Sequence, residues 1–284
     1  MSSGIKLLVS DVDGTLVDKE KKVTPATVDA VKRLKAAGLG FTIISARPRS
    51  GMMPIAELLG IDEPMGAFNG GIVFKRDGTV IEHHMIDVDV VRGAMEIVGD
   101  APVDTWFFAD DVWYASTDQG GHVGSERKAS AQDPVIVSDF SDLLAKADKV
   151  TFVSDDEELL RDLHAKVAAK FDTQATIVQS QTYYLDITPV AGNKGSGIEE
   201  LADAFGISLT QTAAIGDQAN DIAMLKRAGL AIAMGNAPQN VRDVVHQITS
   251  ANDADGVAHR LDQIRGKGRG RRRQVRPDCR PAPG

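Results

Sequence analysis

The sequence holds a single cysteine, Cys279, which excludes an intramolecular disulfide. Aromatic residues make up only 5% of its 284 residues, and no apolar run approaches the roughly 20 residues that a membrane-spanning helix needs. Residues 1–4 lead directly into a predicted strand and do not form the apolar segment of a signal peptide. These absences predict a cytoplasmic protein without a membrane-embedded part.

Positive charge is scarce in most of the chain and concentrated at its end. The net charge is −8, yet from Arg265 onward eight Lys and Arg residues accompany one Asp, so that segment carries +7 and the rest −15. An acidic body disfavours nucleic acid as the main partner, because binding to a phosphate backbone depends on Lys and Arg. Residues 266–284, rich in Gly, Arg and Pro, are predicted to form a basic disordered tail. Binding of RNA or an acidic surface is the alternative use of this tail.

The chain is long enough for two domains with buried cores. An apolar run at 5–9 predicts a strand, and Thr24 followed by Pro25 predicts the start of a helix. A second strand is predicted at 40–44, and strand, helix and strand in this order indicate a parallel unit. The same alternation resumes at Lys194. Both ends of the chain therefore predict an α/β fold.

The middle of the chain, residues 86–189, shows a different pattern. Its predicted strands, such as 105–108 and 112–116, follow one another through short turns, which favours antiparallel pairing. Helices are predicted between the strands, including one at 139–147. This segment is therefore predicted to be an α+β insert.

Two aspartates follow the first predicted strand. Asp11 and Asp13 stand in the sextet Ser10-Asp11-Val12-Asp13-Gly14-Thr15. Ligands of open α/β sheets bind at the carboxyl ends of the strands, and two carboxylates this close need a shared cation or proton. Mg²⁺ suits such oxygens, and one carboxylate could attack phosphorus while the other moves a proton. The alternative is an acidic turn at the strand end, in which Gly14 is present only for the conformational freedom of its backbone.

The second strand ends in Ser45-Ala46-Arg47, and parallel pairing would bring Ser45 to the same edge as Asp11. A hydroxyl and free backbone N–H groups at a strand end suit a phosphate oxygen, and Arg47 could add a charge-assisted contact. A turn residue is the alternative role of Ser45.

Two later segments add charged groups at element ends. Lys194 opens a helix, where the helix dipole disfavours a cation unless an anion lies nearby. Asp217 and Asp221 follow the predicted strand 212–215, four residues apart and so on one side of a helical turn. Helix capping is the alternative explanation for these acidic residues. Their repetition at separate strand ends favours a common site.

Four motifs together resemble those of the haloacid dehalogenase-like (HAD) phosphatases: Asp11-Val12-Asp13-Gly14-Thr15, Ser45, Lys194 and Gly216-Asp217-x-x-Asn220-Asp221. The insert before Lys194, together with Asn69-Gly70 and Gly235-Asn236-Ala237, is most similar to the Cof-type subfamily. The resemblance covers residues 5–264 and is specific through the first and fourth motifs in combination.

The resemblance implies an α/β architecture, with a Rossmann-like parallel-sheet core and an inserted α+β cap domain. The catalytic core is expected to comprise residues 1–84 and 188–265. The cap, expected at residues 85–187, would set substrate specificity.

The resemblance also implies the chemistry. Asp11 is expected to attack phosphorus and form an aspartyl-phosphate, while Asp13 protonates the leaving oxygen and then activates water. Mg²⁺ is the expected cofactor. Its expected metal-site residues are Asp11, Asp13 through its main-chain carbonyl, Asp217, and Asp221 as a supporting group.

The transferring phosphoryl group is expected to contact Ser45, Ala46 and Lys194. Asn220 is expected to fix Lys194 or to contact the phosphate. Ala46 departs from the family pattern, since many relatives have Gly there. An alanine should be tolerated if its φ stays negative.

The expected partner is a small-molecule phosphomonoester, with a sugar phosphate favoured. Candidate substrate contacts are Arg47, Asn69 and Gly70 in the core and His122, Arg127, Lys128 and Tyr184 in the cap. A sugar phosphomutase of the same superfamily is one alternative, because phosphomannomutases have a similar cap. A non-catalytic binding protein that keeps the fold and uses its Arg-rich tail is the other. The sequence does not indicate an oligomeric state.

Overall fold

The computed structural model describes residues 4–269 of the chain. Its strands are β1 (Leu7–Ser10), β2 (Gly40–Ile43), β3 (Met65–Ala67), β4 (Ile72–Phe74), β5 (Val80–His83), β6 (Asp104–Ala109), β7 (Val112–Ala115), β8 (Val135–Ile136), β9 (Ala147–Val153), β10 (Ala175–Gln181), β11 (Tyr184–Pro189), β12 (Thr212–Gly216), β13 (Leu230–Ala233) and β14 (Gln247–Ile248). Its α-helices are α1 (Pro25–Ala36), α2 (Arg49–Leu59), α3 (Val88–Val98), α4 (Val123–Ser130), α5 (Glu157–Phe171), α6 (Lys194–Ala204), α7 (Ile222–Arg227), α8 (Gln239–Arg242) and α9 (Gly256–Arg269). None of the helices in this part of the chain has the length and apolar content to cross a membrane.

A parallel five-stranded sheet in the order β14-β13-β12-β1-β2 forms the core. Every residue of β1 is buried, as expected for a central strand covered on both faces. Ser10, the last residue of β1, lies opposite Ile43 in β2 and Ile215 in β12. The residues that follow these three strands therefore meet at one edge of the sheet. The predicted α/β fold is confirmed.

Helix α1 begins where the sequence predicts. The Thr24 side chain accepts a hydrogen bond from the Thr27 N–H at 3.2 Å, and Pro25 occupies the first turn, where its missing N–H costs nothing. After the helix, Gly38 takes a positive φ of 79°. The buried residues Ala30, Val31 and Leu34 lie on one face of the helix, at helical spacing.

A second sheet of six strands, in the order β10-β11-β9-β6-β7-β8, forms the cap region. Its strands pair antiparallel, as predicted, except that β7 and β8 pair in parallel. One face, with Phe107, Val150 and Phe152, packs in an apolar cluster with residues of α3 and α5. The opposite face, with Trp106 and Phe108, packs in the same cluster as side chains of the core. The cap sheet therefore presents this second face to the core.

Strands β4 and β5 form a hairpin, which joins β3 in a small antiparallel sheet. Two histidines at the end of this small sheet contact the cap and the core. His83 lies 2.6 Å from Asp148 of the cap, and the adjacent His84 lies 2.9 Å from Glu200 of α6. Neighbours on an extended segment point to opposite sides, which explains the two different partners. The domain boundaries 84/85 and 187/188 stay predictions.

Two predictions about individual segments are wrong. The helix predicted at 139–147 is a single 3-10 turn, Ser141–Leu143, because the Asp139 carboxylate accepts the Ser141 N–H and Ala147 already pairs in β9. The disordered tail predicted from residue 266 begins too early, since α9 continues its hydrogen-bonded turns to Arg269. The rest of that predicted tail, 270–284, lies outside the described residues.

Candidate active site

Three buried carboxylates form the centre of the candidate site. Asp11 follows β1 and Asp217 follows β12, while Asp221 lies at the start of α7. One oxygen of each lies within 4.8 Å of the others. The parallel pairing of β1 with β12 explains why the first and fourth sequence motifs meet here although about 200 residues separate them.

Lys194 lies between these carboxylates and is 1% exposed. Its Nζ donates to Asp11 and, at 2.6 Å, to Asp221. Asn193 caps the helix by accepting the N–H groups of Gly195 and Ser196. Burial alone would lower the pKa of Lys194, but Asp11 and Asp221 outweigh it and raise the pKa, so the ammonium stays charged.

Both carboxylate oxygens of Asp221 accept hydrogen bonds from neighbouring groups. Besides Lys194, its carboxylate accepts the backbone N–H groups of Asp217 at 2.8 Å and Gln218 at 2.9 Å. These three bonds occupy both of its oxygens. Asp221 therefore orients Lys194 and the Asp217 loop and is poorly placed to bind another ligand directly.

Asp217 is oriented by residues that the sequence analysis did not select. Its carboxylate accepts the Thr15 hydroxyl at 2.8 Å and the Asn236 amide at 3.2 Å. Asn236 also donates to the Gly14 carbonyl at 2.9 Å. Both residues stand inside motifs quoted for the family resemblance, and this position was the one signal that could have identified them.

The cluster contains more negative than positive charge. Burial raises the pKa of Asp11 to about 8; Lys194 opposes this rise, and the charges of Asp221 and Asp217 add to it. Burial likewise raises the pKa of Asp217. If all three carboxylates are ionised, the Lys194 ammonium leaves two negative charges uncompensated; a divalent cation would balance them and favour the ionised form of Asp11. The donors are carboxylate oxygens, the ligand type that Mg²⁺ prefers, so the residues fit such an ion.

Asp13 lies beside this cluster and is held by cations. Arg47 donates to both its oxygens, at 2.7 and 2.8 Å, and Lys21 donates at 2.7 Å. Burial would raise the pKa of Asp13, but Arg47 and then Lys21 outweigh it and lower the pKa to about 2. Arg47, a predicted substrate contact, therefore binds Asp13 here, because its guanidinium finds a bidentate carboxylate partner across the strand ends. Lys21 was missed, since it lies in a connector without a motif.

Ser45 lies at the predicted edge and is buried. Its hydroxyl accepts the Arg47 N–H at 3.2 Å, and its carbonyl accepts the Asn69 N–H at 2.7 Å. Ala46 is exposed, and it is not among the described residues with positive φ. Its methyl group is therefore compatible with this loop.

Asn220 lies at the site edge and contacts Asn69. The Asn220 side-chain amide donates to Oδ1 of Asn69 at 3.3 Å, and no hydrogen bond joins it to Lys194 in the described chain. The expectation that Asn220 fixes Lys194 or contacts the phosphate stays a prediction. Gly70, with φ of 99°, lies so close to Gly197 of α6 that a Cβ would come within 2.6 Å of its Cα. Gly70 thus packs the loop onto the helix.

The four candidate cap contacts separate into two groups. Arg127 pairs with Asp133, and both Arg127 and Lys128 are exposed on α4. His122 stacks on Tyr183, with ring centroids 3.8 Å apart. Tyr184 alone packs against the cluster shared by the cap and the core.

Comparisons with known proteins agree with this geometry. Residues 8–261 match the family model described as haloacid dehalogenase-like hydrolase. The 5-amino-6-(5-phospho-D-ribitylamino)uracil phosphatase YitU of Bacillus subtilis is 26% identical, over 90% of this chain and 96% of its own.

Solved structures show the same fold. A haloacid dehalogenase-like hydrolase from Bacteroides thetaiotaomicron matches with a TM-score of 0.85 and 24% identity, over 92% of this chain and 99% of its own. The HAD subclass IIB sugar phosphatase BT4131 matches with a TM-score of 0.77 and 24% identity, over 91% and 98%. From the family model, which spans most of the chain, it follows that this protein belongs to the haloacid dehalogenase-like hydrolases, among relatives named as phosphatases.

Proposed function

We propose that the protein is a Mg²⁺-dependent phosphomonoester hydrolase that acts on a small phosphorylated metabolite through an aspartyl-phosphate. The observation that carries this proposal is the buried contact between Lys194 and the carboxylate of Asp11, beside Asp217 and within reach of Asp13. The arrangement combines a nucleophile, a cation for the phosphoryl oxygens, and a second carboxylate for proton transfer.

The metal would be held by Asp11, Asp217 and the main-chain carbonyl of Asp13. Asp221 would support this set through its bonds to the Asp217 and Gln218 N–H groups. When bound, Mg²⁺ compensates charge on the oxygens of the transferring phosphoryl group.

The chain's own residues perform the remaining steps. An Asp11 oxygen forms a bond to phosphorus as the bond from phosphorus to the leaving oxygen breaks, and Asp13 gives a proton to that oxygen. Asp13 then takes a proton from the water that attacks the aspartyl-phosphate, which returns Asp11 and releases inorganic phosphate. Lys194, Ser45 and the backbone of Ala46 hold the phosphoryl oxygens in line.

Arg47 has a defined part in this cycle. In the free protein it keeps Asp13 ionised, the form that accepts a proton. A phosphate dianion beside Asp13 acts in the opposite direction, since a negative charge raises the pKa of a neighbouring carboxyl. The substrate thus brings Asp13 toward the form that donates a proton.

A sugar phosphate is the favoured substrate. Two relatives support a polyol-bearing leaving group: YitU is named as the phosphatase of a phosphoribityl compound, and BT4131 is described as a sugar phosphatase. The compounds named for these two relatives are phosphomonoesters of hydroxyl-rich carbon chains.

The decisive experiment measures phosphate release from a panel of phosphomonoesters, with Mg²⁺ and with EDTA. Wild-type protein should release phosphate only with Mg²⁺, and Asp11→Asn should lose turnover while keeping its far-UV circular dichroism. Asp29→Asn, an exposed substitution on α1, is the matched control and should retain activity. Unchanged turnover in Asp11→Asn would show that another residue is the nucleophile.

A further inference from the structure

The cap face that is presented to the core carries a charged pair. Lys149 of β9 lies 3.0 Å from Asp186 of β11, and the Thr151 hydroxyl donates to the same Asp186 oxygen at 2.7 Å. Asp186 and Thr151 are buried, and Lys149 is largely so. The charge of Lys149 is therefore neutralised by Asp186 inside the cap.

Glu126 belongs to α4, which lies beside Arg47 of the core: Arg47 donates to the Gly51 carbonyl at 3.2 Å, and a Cβ on Gly51 would come within 2.1 Å of the Ala129 carbonyl oxygen of α4. Helix α4 packs on α2 of the core, where the Ser50 hydroxyl donates to the Ser130 carbonyl at 2.6 Å. The charges of Lys149 and Asp186 from the cap, and of Arg47 and Asp13 from the core, all act on the Glu126 carboxyl. Glu126 therefore lies close to both the Lys149–Asp186 pair of the cap and the Arg47–Asp13 pair of the core.

The Glu126 carboxylate has no partner of its own. It is partly buried, yet no hydrogen bond or ion pair joins it to another side chain or backbone group in the described part of the chain. The Tyr184 hydroxyl likewise has no hydrogen-bond partner in the described part of the chain. Burial raises the pKa of Tyr184, and the negative charge of Glu126 raises it further. Partly buried polar groups without partners are suited to contact a ligand.

We propose that Glu126 and Tyr184 contact the leaving group and select phosphomonoesters that carry hydroxyl or ammonium groups and no second negative charge. The inference rests on the proposed phosphatase function and specifies its substrate class. The carboxylate accepts hydrogen bonds from hydroxyl and ammonium groups and repels a carboxylate or a second phosphate.

The other cap cations do not offset this repulsion. Lys149 is paired with Asp186 and Lys146 with Asp110, while Lys128 is exposed on α4. A sugar phosphomutase passes through a bisphosphate and needs a cation for the second phosphate. The charge distribution therefore disfavours the mutase alternative.

The test uses matched esters that differ in the charge of the leaving group: glucose 6-phosphate against 6-phosphogluconate, and glycerol 1-phosphate against 3-phosphoglycerate. Wild-type protein with Mg²⁺ at pH 8 should show a higher kcat/KM for the neutral member of each pair that it hydrolyses. Glu126→Gln should narrow that ratio about tenfold, the size of a partly screened charge interaction at a few ångströms. Glu158→Gln, exposed on α5 at the far face of the cap sheet, is the matched control and should keep the wild-type ratio.

A second variant tests the same logic from the other partner. Asp186→Asn frees the Lys149 charge and should raise kcat/KM for the anionic esters relative to the neutral ones. A ratio unchanged by Glu126→Gln, or turnover of other esters but of neither pair, would overturn the inference while leaving the phosphatase function intact. Phosphate release from no ester at all would instead overturn the proposed function.

Discussion

Replacing Lys194 by Met tests the charge balance of the buried site. The side chain is 1% exposed, and its Nζ contacts Asp11 and Asp221, which are 4% and 0% exposed. Methionine preserves much of the volume but leaves two carboxylates buried without their cation. Breaking a buried ion pair by removing one partner costs about 3–5 kcal/mol of unfolding free energy, and we expect a loss in that range.

Urea unfolding in EDTA, followed by far-UV circular dichroism, measures this loss. Lys166→Met is the matched control, because Lys166 is exposed on α5 and pairs with the exposed Asp162. An exposed pair of this kind contributes about 0.3–0.5 kcal/mol. A loss below about 1 kcal/mol in Lys194→Met would refute the charged cluster described here.

The loss in Lys194→Met should also depend on pH. Lys194 is the cation that opposes the rise in the pKa of Asp11, so its removal raises that pKa further. A group whose pKa is raised in the folded state binds more protons in the folded protein than in the unfolded one. The protein therefore loses stability as the pH rises from the unfolded-state pKa to the folded-state pKa of that group. The deficit should therefore be larger at pH 9 than at pH 6. Asp11→Asn in the same background should relieve part of it, with a coupling of about 1–3 kcal/mol.

Other substitutions give separate expectations. Arg47→Gln removes the main interaction that lowers the pKa of Asp13 from 3.8 to about 2, so the Tm difference from wild type should persist above pH 4 and shrink toward pH 2. A calorimetric difference that stays constant to pH 2 would contradict this linkage. Gly14→Ala places a Cβ 2.4 Å from the Asp217 carboxylate at a φ of 83°, and should lower Mg²⁺-dependent turnover more than tenfold. Gly78→Ala, with φ of 90° and open space around it, controls for backbone strain and should keep turnover.

Local patterns were sufficient where the structure depends on neighbouring residues. The start of α1 follows from Thr24 and Pro25, because a cap hydrogen bond and a fixed φ act within one turn. Helix α4 was missed because only Val123 and Ser130 are buried along it, so it shows no apolar stripe. Its position depends instead on close backbone contact with Gly51 of α2.

Side-chain partners were the least predictable part of the site. The sequence placed Asp13, Arg47 and Asn220 correctly at strand ends, but it did not reveal that Arg47 binds Asp13 or that Asn220 turns to Asn69. Which way a polar side chain turns depends on charges brought close by folding. Spacing along the chain carries no information about those charges.

The sequence by itself determined that apolar strands end in Asp11, Ser45 and Asp217, because strand length and the following turn residues are local properties. Only the tertiary structure decided that Lys194, 183 residues from Asp11, contacts that carboxylate, and that Glu126 of the cap comes close to Arg47 and Asp13 without a partner among the described residues. Contacts of this range form when parallel strands pair and the cap sheet packs on the core, and their energies come from burial of charge, which no single segment of the chain contains.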